Sequence, residues 1–419
     1  MTDMIFSKKL TDIASEAEEK LEPYFRRIDE ISFYHTSRVL DAFSEFRVSE
    51  AMFAPSSGYG YDDRGREALD KIYARVFGSE SALVRHNIVN GTQALTIGLF
   101  GLLRPGDIML SVTGKPYDTL DEVIAKKKGD GSLADFGVEY RQVELSPEGG
   151  LDLDAIKNAI TSCKDRLKVV FVQRSKGYLN RKTLSSKQIG ELIGLVRGLC
   201  SAYVVVDNCY GEFTEKYEPT HFGADLMIGS LIKNPGGGMA ETGGYLAGSA
   251  RAVELASYRL TSVGVGGEVG ATLGQNKNMF KGFFYAPHTV AQSLKTAHFA
   301  AYVFASLGYA VEPAWDEVRH DIIQAVRLGS EEGLCAFCRG IQAGSPVDAF
   351  VTPEPWAMPG YSDKVIMAAG TFTQGASIEL SADGPIRAPY TAFFQGGLTY
   401  ESGKIGILSA AAAVSEEKK

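Results

Sequence analysis

The chain has 419 residues, with 43 lysines and arginines against 51 aspartates and glutamates, a net charge of −8 with histidine neutral. Hydrophobic residues make up 45% and charged residues 22%, which excludes a disordered chain and leaves ample apolar side chains for a core. The acidic balance argues against general nucleic-acid binding, which needs a basic surface to displace counterions.

The segment Met1–Lys9 has no sustained apolar run and does not read as a signal peptide. Leu10, Ile13, Ala14, Ala17 and Leu21 recur at helical spacing, with Glu16, Glu18, Glu19 and Lys20 on the polar side, so the first 30 residues are predicted helical. A second helical stretch covers Val39–Phe46, and Ala54-Pro55-Ser56-Ser57-Gly58 has loop chemistry. From Ala82 short β-rich runs alternate with helices: strand Ala82–His86, helix Thr92–Leu103 and strand Ile108–Val112. Further strands are predicted at Val138–Glu144, Val169–Gln173, Tyr203–Asp207, Leu226–Gly229 and Gly244–Gly248. The clearest helix among them is Ser185–Leu199, with Thr183 or Ser185 as its N-cap.

Near-continuous apolar strands between helices imply a mostly parallel sheet covered on both faces. A helix over Thr289–Leu307 reads as a connector. From Gly308 the pattern is a strand, a helix over Asp321–Gln342, and strands Val365–Phe372 and Ala376–Ser381. The expected organisation is an N-terminal helical segment (1–55), a large α/β domain (56–307) and a smaller C-terminal α+β domain (308–419).

The longest apolar stretches, Ala94–Leu103 and Phe299–Val311, fall short of the roughly 20 residues that span a bilayer. Five cysteines, an odd number without a secretion signal, point to free thiols in a reducing compartment. A soluble cytoplasmic protein is therefore expected. Several motifs fail. In Gly264-Val265-Gly266 the last glycine of a dinucleotide fingerprint is replaced by Val269, and Gly114-Lys115 lacks the first glycine and the Ser/Thr of a P-loop. Cys335-Ala336-Phe337-Cys338 stands in a helical run without a second pair, and the six histidines show no H-E-x-x-H spacing, so no metal is expected.

Three pieces carry chemistry. The apolar strand Tyr203–Asp207 ends in a carboxylate, and strand Leu226–Gly229 runs through Ser230 into Lys233 and the cluster Gly236-Gly237-Gly238. Ligands of open parallel sheets bind beyond the carboxyl ends of strands, so Asp207 and Lys233 should face one crevice. Asn90-Gly91-Thr92-Gln93 precedes a helix, whose N-terminal N–H groups favour an anion. Taken singly, these are a solvated strand end, a surface lysine and a helix cap. Together, an anion cradle, a lysine and an acid suggest pyridoxal phosphate, with the carboxylate keeping the pyridine nitrogen protonated.

The chain resembles the fold-type I pyridoxal-phosphate enzymes, and within them the methionine γ-lyase/cystathionine β-lyase-related group known as aluminium resistance proteins. The resemblance is carried by Gly58–Arg66, Asn90–Ala94, Gln173-Arg174-Ser175, Val206–Phe213, Ser230–Gly238 and Ser377–Asp383, which run through most of the chain. It implies Lys233 as the Schiff-base lysine and general base, and Asp207 as the pyridinium partner. Gly91, Thr92, Gln93 and Ser230 would hold the phosphate. Tyr117 would stack on the cofactor ring and assist proton transfer, unless it is simply a buried loop tyrosine. Tyr61 and Arg64 resemble residues that reach a neighbouring subunit's phosphate in a homo-oligomer, dimer or tetramer; a local Asp-Arg pair is the alternative. Arg387 is the candidate for the substrate's α-carboxylate, against a surface arginine paired with Asp383. Ile232 replaces the threonine of better-known γ-lyases, and Gln173-Arg174-Ser175 their asparagine-bearing segment.

The activity so implied is a carbon–sulfur lyase that eliminates a thiol from a cystathionine-, methionine- or cysteine-type amino acid, giving a 2-oxo acid and ammonia. An aminotransferase or decarboxylase on the same fold, or a cofactor-binding protein without turnover, are the alternatives.

Overall fold

A computed structural model describes residues 6–124, 129–179, 181–358 and 361–417; Met1–Ile5 of the N-terminal reading lie outside them. The first helix, α1 (Lys8–Glu45), is continuous where two separate helical stretches are predicted. It carries Pro23 on an exposed turn, where the carbonyl the ring leaves unpaired can be met by water. Its first half packs Leu10, Ala14, Ala17 and Leu21 into one core with Phe337, Leu380 and Ile407, and its second half packs Ile28, Val39 and Ala42 into another with Tyr73 and Phe283. One helix thus serves both domains.

The elements that follow are α2 (Arg64–Phe77), β1 (Ser81–Arg85), α3 (Gly91–Leu102), β2 (Ile108–Ser111), α4 (Asp118–Ile124), β3 (Glu139–Gln142), α5 (Leu153–Cys163), β4 (Leu167–Gln173), α6 (Ser186–Leu199), β5 (Tyr203–Asp207), β6 (Leu226–Ser230), β7 (Gly244–Gly248) and α7 (Ala250–Leu260). The seven strands form one sheet in the order β1-β7-β6-β5-β4-β2-β3, in which only β7 runs against the rest. The strands are apolar on both faces, as in Val169-Val170-Phe171-Val172 and Val204-Val205-Val206, because helices cover both sides. Ser185 caps α6 in a capping box with Gln188, as its sequence indicates.

The chain then runs through α8 (Asn276–Ser306), β8 (Ala310–Glu312), β9 (Gln324–Arg327), α9 (Glu331–Ala343), β10 (Val365–Ala368), β11 (Leu380–Pro385), β12 (Thr391–Gly396) and α10 (Tyr400–Glu417). The second sheet is antiparallel, in the order β10-β11-β12-β9-β8. The helix expected over Asp321–Gln342 is instead a strand and a shorter helix. Gly329, at φ +82°, turns the chain, and the Ser330 side chain caps α9 on the Gly333 N–H at 3.0 Å. The strand expected at Ala376–Ser381 starts at Leu380, because Glu379 binds the backbone N–H groups of Phe372 (2.7 Å) and Thr373 (2.9 Å) and holds the preceding segment in a turn. No helix among the described residues is long and apolar enough to cross a membrane.

Candidate active site

The carboxyl ends of β4, β5 and β6 converge on one cleft. Asp207, the last residue of β5, pairs in register with Gln173 of β4 and Ile228 of β6. Beyond it the chain is pinned by Arg174, a fully buried side chain whose Nη1 donates to Asn208 Oδ1 (2.7 Å) and the Gly211 carbonyl (3.1 Å), and which pairs with Glu215 and Glu218. This anchoring holds a loop in which Tyr210 and Phe213 adopt positive φ, +74° and +63°, a conformation that costs side-chain-bearing residues about 1 kcal/mol or more. Asn234, next to Lys233, donates from Nδ2 to the carbonyls of Tyr210 (3.0 Å) and Glu212 (2.9 Å). Lysine and acid are thereby tied to one rigid frame.

The cleft is lined by Tyr117, Gln173, Tyr178, Asp207, Cys209, Tyr210 and Lys233 from the large domain, and by Asp383, Phe393 and Gln395 from the small one. The Lys233 Nζ lies 4.0 Å above the centre of the Tyr210 ring, a favourable place for an ammonium. Burial disfavours that charge, but Cys209, Tyr210 and Asp207 outweigh it and hold the Lys233 pKa above the ordinary lysine value. Burial pushes the Asp207 carboxyl up, opposed by Lys233 and by the Cys209 N–H, which donates to Oδ1 at 3.1 Å. Burial also raises the Asp383 pKa, to about 7, against the pull of Tyr178 and Lys233. Tyr117 donates its backbone N–H to Gln173 Oε1 (2.6 Å), and its hydroxyl bonds that of Tyr361. Burial raises the pKa of both Tyr117 and Tyr178 well above the usual phenol value, so both are neutral.

The N-terminus of α3 meets the same place. A Cβ added to Gly91 would lie 3.4 Å from Cys209 Sγ and 3.6 Å from the Ser230 Cβ, so helix start, acid loop and lysine strand abut. Asn90 caps the Gln93 N–H at 2.8 Å; the N–H groups of Gly91 and Thr92 have no partner within the helix. Ser230 Oγ is buried without a partner beside them. These orphaned donors fit a phosphate, and Asp207 and Lys233 in the adjoining cleft fit a pyridine nitrogen and an aldehyde. The residues present therefore suit pyridoxal phosphate.

The cluster Gly236-Gly237-Gly238 has a different reason. A Cβ on Gly236 would sit 1.6 Å from the Leu231 carbonyl oxygen and one on Gly237 2.3 Å from that of Gly282 in α8, so these glycines let the Lys233 loop pack on itself and on α8. Tyr61 is 62% exposed and stacked on Tyr59, with Arg64 exposed beside it; neither lines this chain's own cleft. Arg387 also stands apart. It follows the end of β11, its Nη1 pairs with Asp363 Oδ2 at 2.7 Å, and its side chain is 44% exposed in a neighbouring cavity. Asp383, weighed as its partner in the sequence, turns instead into the cleft. Tyr178, Tyr361 and Gln395 escape sequence reasoning; Tyr210 and Asp383 lie in the segments Val206–Phe213 and Ser377–Asp383 that carry the resemblance, but neither is singled out there for the cleft.

A mostly parallel sheet with a lysine and an acid at its strand ends, joined to an antiparallel C-terminal domain, is the architecture of the fold-type I pyridoxal-phosphate enzymes, a fold the chain shares with a pyridoxal-5'-phosphate-dependent Escherichia coli protein at 16% identity (TM-score 0.59). The methionine gamma-lyase family profile matches residues 10–415, and the chain belongs to that family. It is 52% identical over 412 residues to the uncharacterized protein YnbB of Bacillus subtilis, covering 98% of this chain and 97% of that one. Among solved structures it is similar to a protein of Clostridium acetobutylicum provisionally named a cystathionine beta-lyase involved in aluminium resistance (46% identity, TM-score 0.94, 97% and 96% of the two chains). A carbon-sulfur lyase involved in aluminium resistance from Clostridium novyi matches with 47% identity and a TM-score of 0.93, over 97% and 96%.

Proposed function

We propose that the protein is a pyridoxal-phosphate-dependent carbon–sulfur lyase acting on a sulfur amino acid of the cystathionine, methionine or cysteine type. The observation that carries this reading is the buried Lys233, set between Asp207, Tyr210 and the orphaned phosphate donors at Gly91, Thr92 and Ser230. The bound cofactor supplies an electron sink for charge that develops at the substrate's α-carbon. Gly91, Thr92 and Ser230 would hold its phosphate, with Gln93, whose own N–H is capped by Asn90, contributing only through its side-chain amide; Asp207 would keep the ring nitrogen protonated, and Tyr117 would lie against the ring. Lys233 Nζ takes the α-proton as general base. The carbon–sulfur bond breaks, the thiolate leaves with its electron pair and gains a proton, and water releases the remaining fragment as a 2-oxo acid and ammonia. Tyr117, whose neutral hydroxyl is shared with Tyr361, stands ready to move a proton at the departing side. Tyr61 and Arg64, exposed on this chain, complete the phosphate site of a neighbouring subunit in a homo-oligomer.

The test is incubation of the cofactor-loaded protein with cystathionine, methionine and cysteine, following thiol and 2-oxo acid. A lyase releases both with no 2-oxo acid acceptor present. Turnover only with an acceptor makes it an aminotransferase, and no turnover or α-proton exchange makes it a binding protein.

A further inference from the structure

A second cavity adjoins the cleft, sharing Tyr178 and Phe393 with it. Its walls carry Lys176, Arg181, Arg327 and Arg387 against one acid, Glu312. Lys176 and Arg181 are 1% and 6% exposed, and among the described residues neither has a carboxylate at ion-pair distance. Lys176 Nζ donates only to the Glu312 backbone carbonyl, at 3.2 Å. Arg181 Nη2 donates to the carbonyls of Gln173 (2.9 Å) and Ser175, while its Nε and Nη1 are buried without partners. Asp321, the buried acid of this region, is engaged by Ser175 Oγ, Thr183 Oγ1 and the Ile323 N–H.

Asp321 faces both cations, with Glu312 near Lys176 and Asp207 near Arg181, but none of these carboxylates bonds to them directly, and a buried cation whose donors go unpaired costs several kcal/mol. Burial lowers the Lys176 pKa and takes that of Arg181 down to about 10, against the pull of Asp321 on both. A guanidinium with two free donors beside an ammonium matches a carboxylate. We propose that the Lys176–Arg181 cavity is a subsite for a second carboxylate of the substrate, carried on the thiol that leaves. This rests on the lyase reading and narrows its substrate class. An α-carboxylate is fixed one bond from the reacting carbon and must stay in the cleft with Lys233. Only a group several bonds further along the side chain is long enough to meet the neighbouring cavity, which Tyr178 and Phe393 also line.

Two amino acids without a carbon–sulfur bond test this on the cofactor-loaded protein, because they bind but release no thiol. In 2-aminopimelate the side chain ends in a carboxylate; in 2-aminoheptanoate it ends in a methyl group. By calorimetry the first should bind at least about tenfold more tightly. Lys176→Met, which replaces a buried unpaired cation by an apolar chain of similar length, should reduce the preference to about twofold or less, chiefly by weakening 2-aminopimelate binding. Arg181→Lys, which removes the fork, should act in the same direction and serves if the first variant does not fold. Equal affinities in the wild type, or an undiminished preference in the variants, overturn the subsite. The outcome is independent of turnover: a preference without thiol release defeats the lyase reading alone, and thiol release without a preference defeats the subsite alone.

Discussion

Asp383 offers a direct check on the electrostatics of the cleft. Its carboxyl is buried on β11 with Oδ1 unpartnered, and its pKa stands at about 7 against an ordinary value of 3.8. The folded protein therefore binds this proton more tightly than the unfolded chain does. Stability from this group is fully present at low pH and drains away as pH rises from about 4 through about 7, at about 1.4 kcal/mol per pH unit in mid-window. Asp383→Asn has no such titration. Integrating the linkage from about pH 5 to about pH 8, the wild type should lose roughly 2.5 kcal/mol relative to the variant. With an unfolding entropy near 2.1 cal/mol/K per residue, that is a relative shift in Tm of about 3 °C. Melting curves of the cofactor-free wild type and variant across that range measure it. A difference that does not change with pH would show that Asp383 ionises normally, and a change of opposite sign would show that Lys233 dominates it. Either would refute a half-protonated acid in the cleft at neutral pH.

Borohydride reduction of the cofactor-loaded protein followed by peptide mapping should place a pyridoxyl group on Lys233; a label elsewhere sinks the site. Asp207→Asn should keep the fold and lose about a hundredfold or more in α-proton exchange, the scale on which one electrostatic stabiliser acts, whereas unchanged exchange would mean that the ring nitrogen is protonated by another group. Arg387→Lys keeps a half-exposed charge beside Asp363, and kcat/KM should change by less than about threefold, as for an exposed ion pair. A fall of about one to two powers of ten would instead bring Arg387 onto the substrate carboxylate.

The large domain was legible because each of its signals is local. The valines of β4 and β5 are apolar on both faces, Ser185 and Gln188 cap α6 within four residues, and a parallel sheet puts its ligands at strand ends, which drew Asp207 and Lys233 together, Ser230 being added by the family resemblance. The small domain was less legible. Asp321–Gln342 has enough apolar residues for one helix, yet Gln324–Arg327 is drawn into a strand by pairing with β12 and β8, partners distant in sequence or hidden behind a turn. The same limit governs the cleft. Asp383 and Gln395 face Lys233 only because β11 and β12 close over the strand ends of the other sheet, a juxtaposition with no spacing rule behind it.

Glycine and arginine show the limit from the other side, where a local signal is real and its reason is not. Three glycines after a lysine look like room for a ligand, but the space they free is taken by the Leu231 and Gly282 carbonyls and the Leu398 side chain. An arginine between two prolines looks constrained toward a substrate, but the chain delivers it to Asp363 at the rim of the next cavity. Arg181 had no such frame in the sequence and is not singled out by it. Burial with two donors unsatisfied is what singles it out, and burial of a charge is a property of the tertiary fold. The residues proposed to hold the cofactor are thus marked by position at strand ends and at a helix start, whereas those proposed to choose among substrates are marked by what their neighbours leave unpaired.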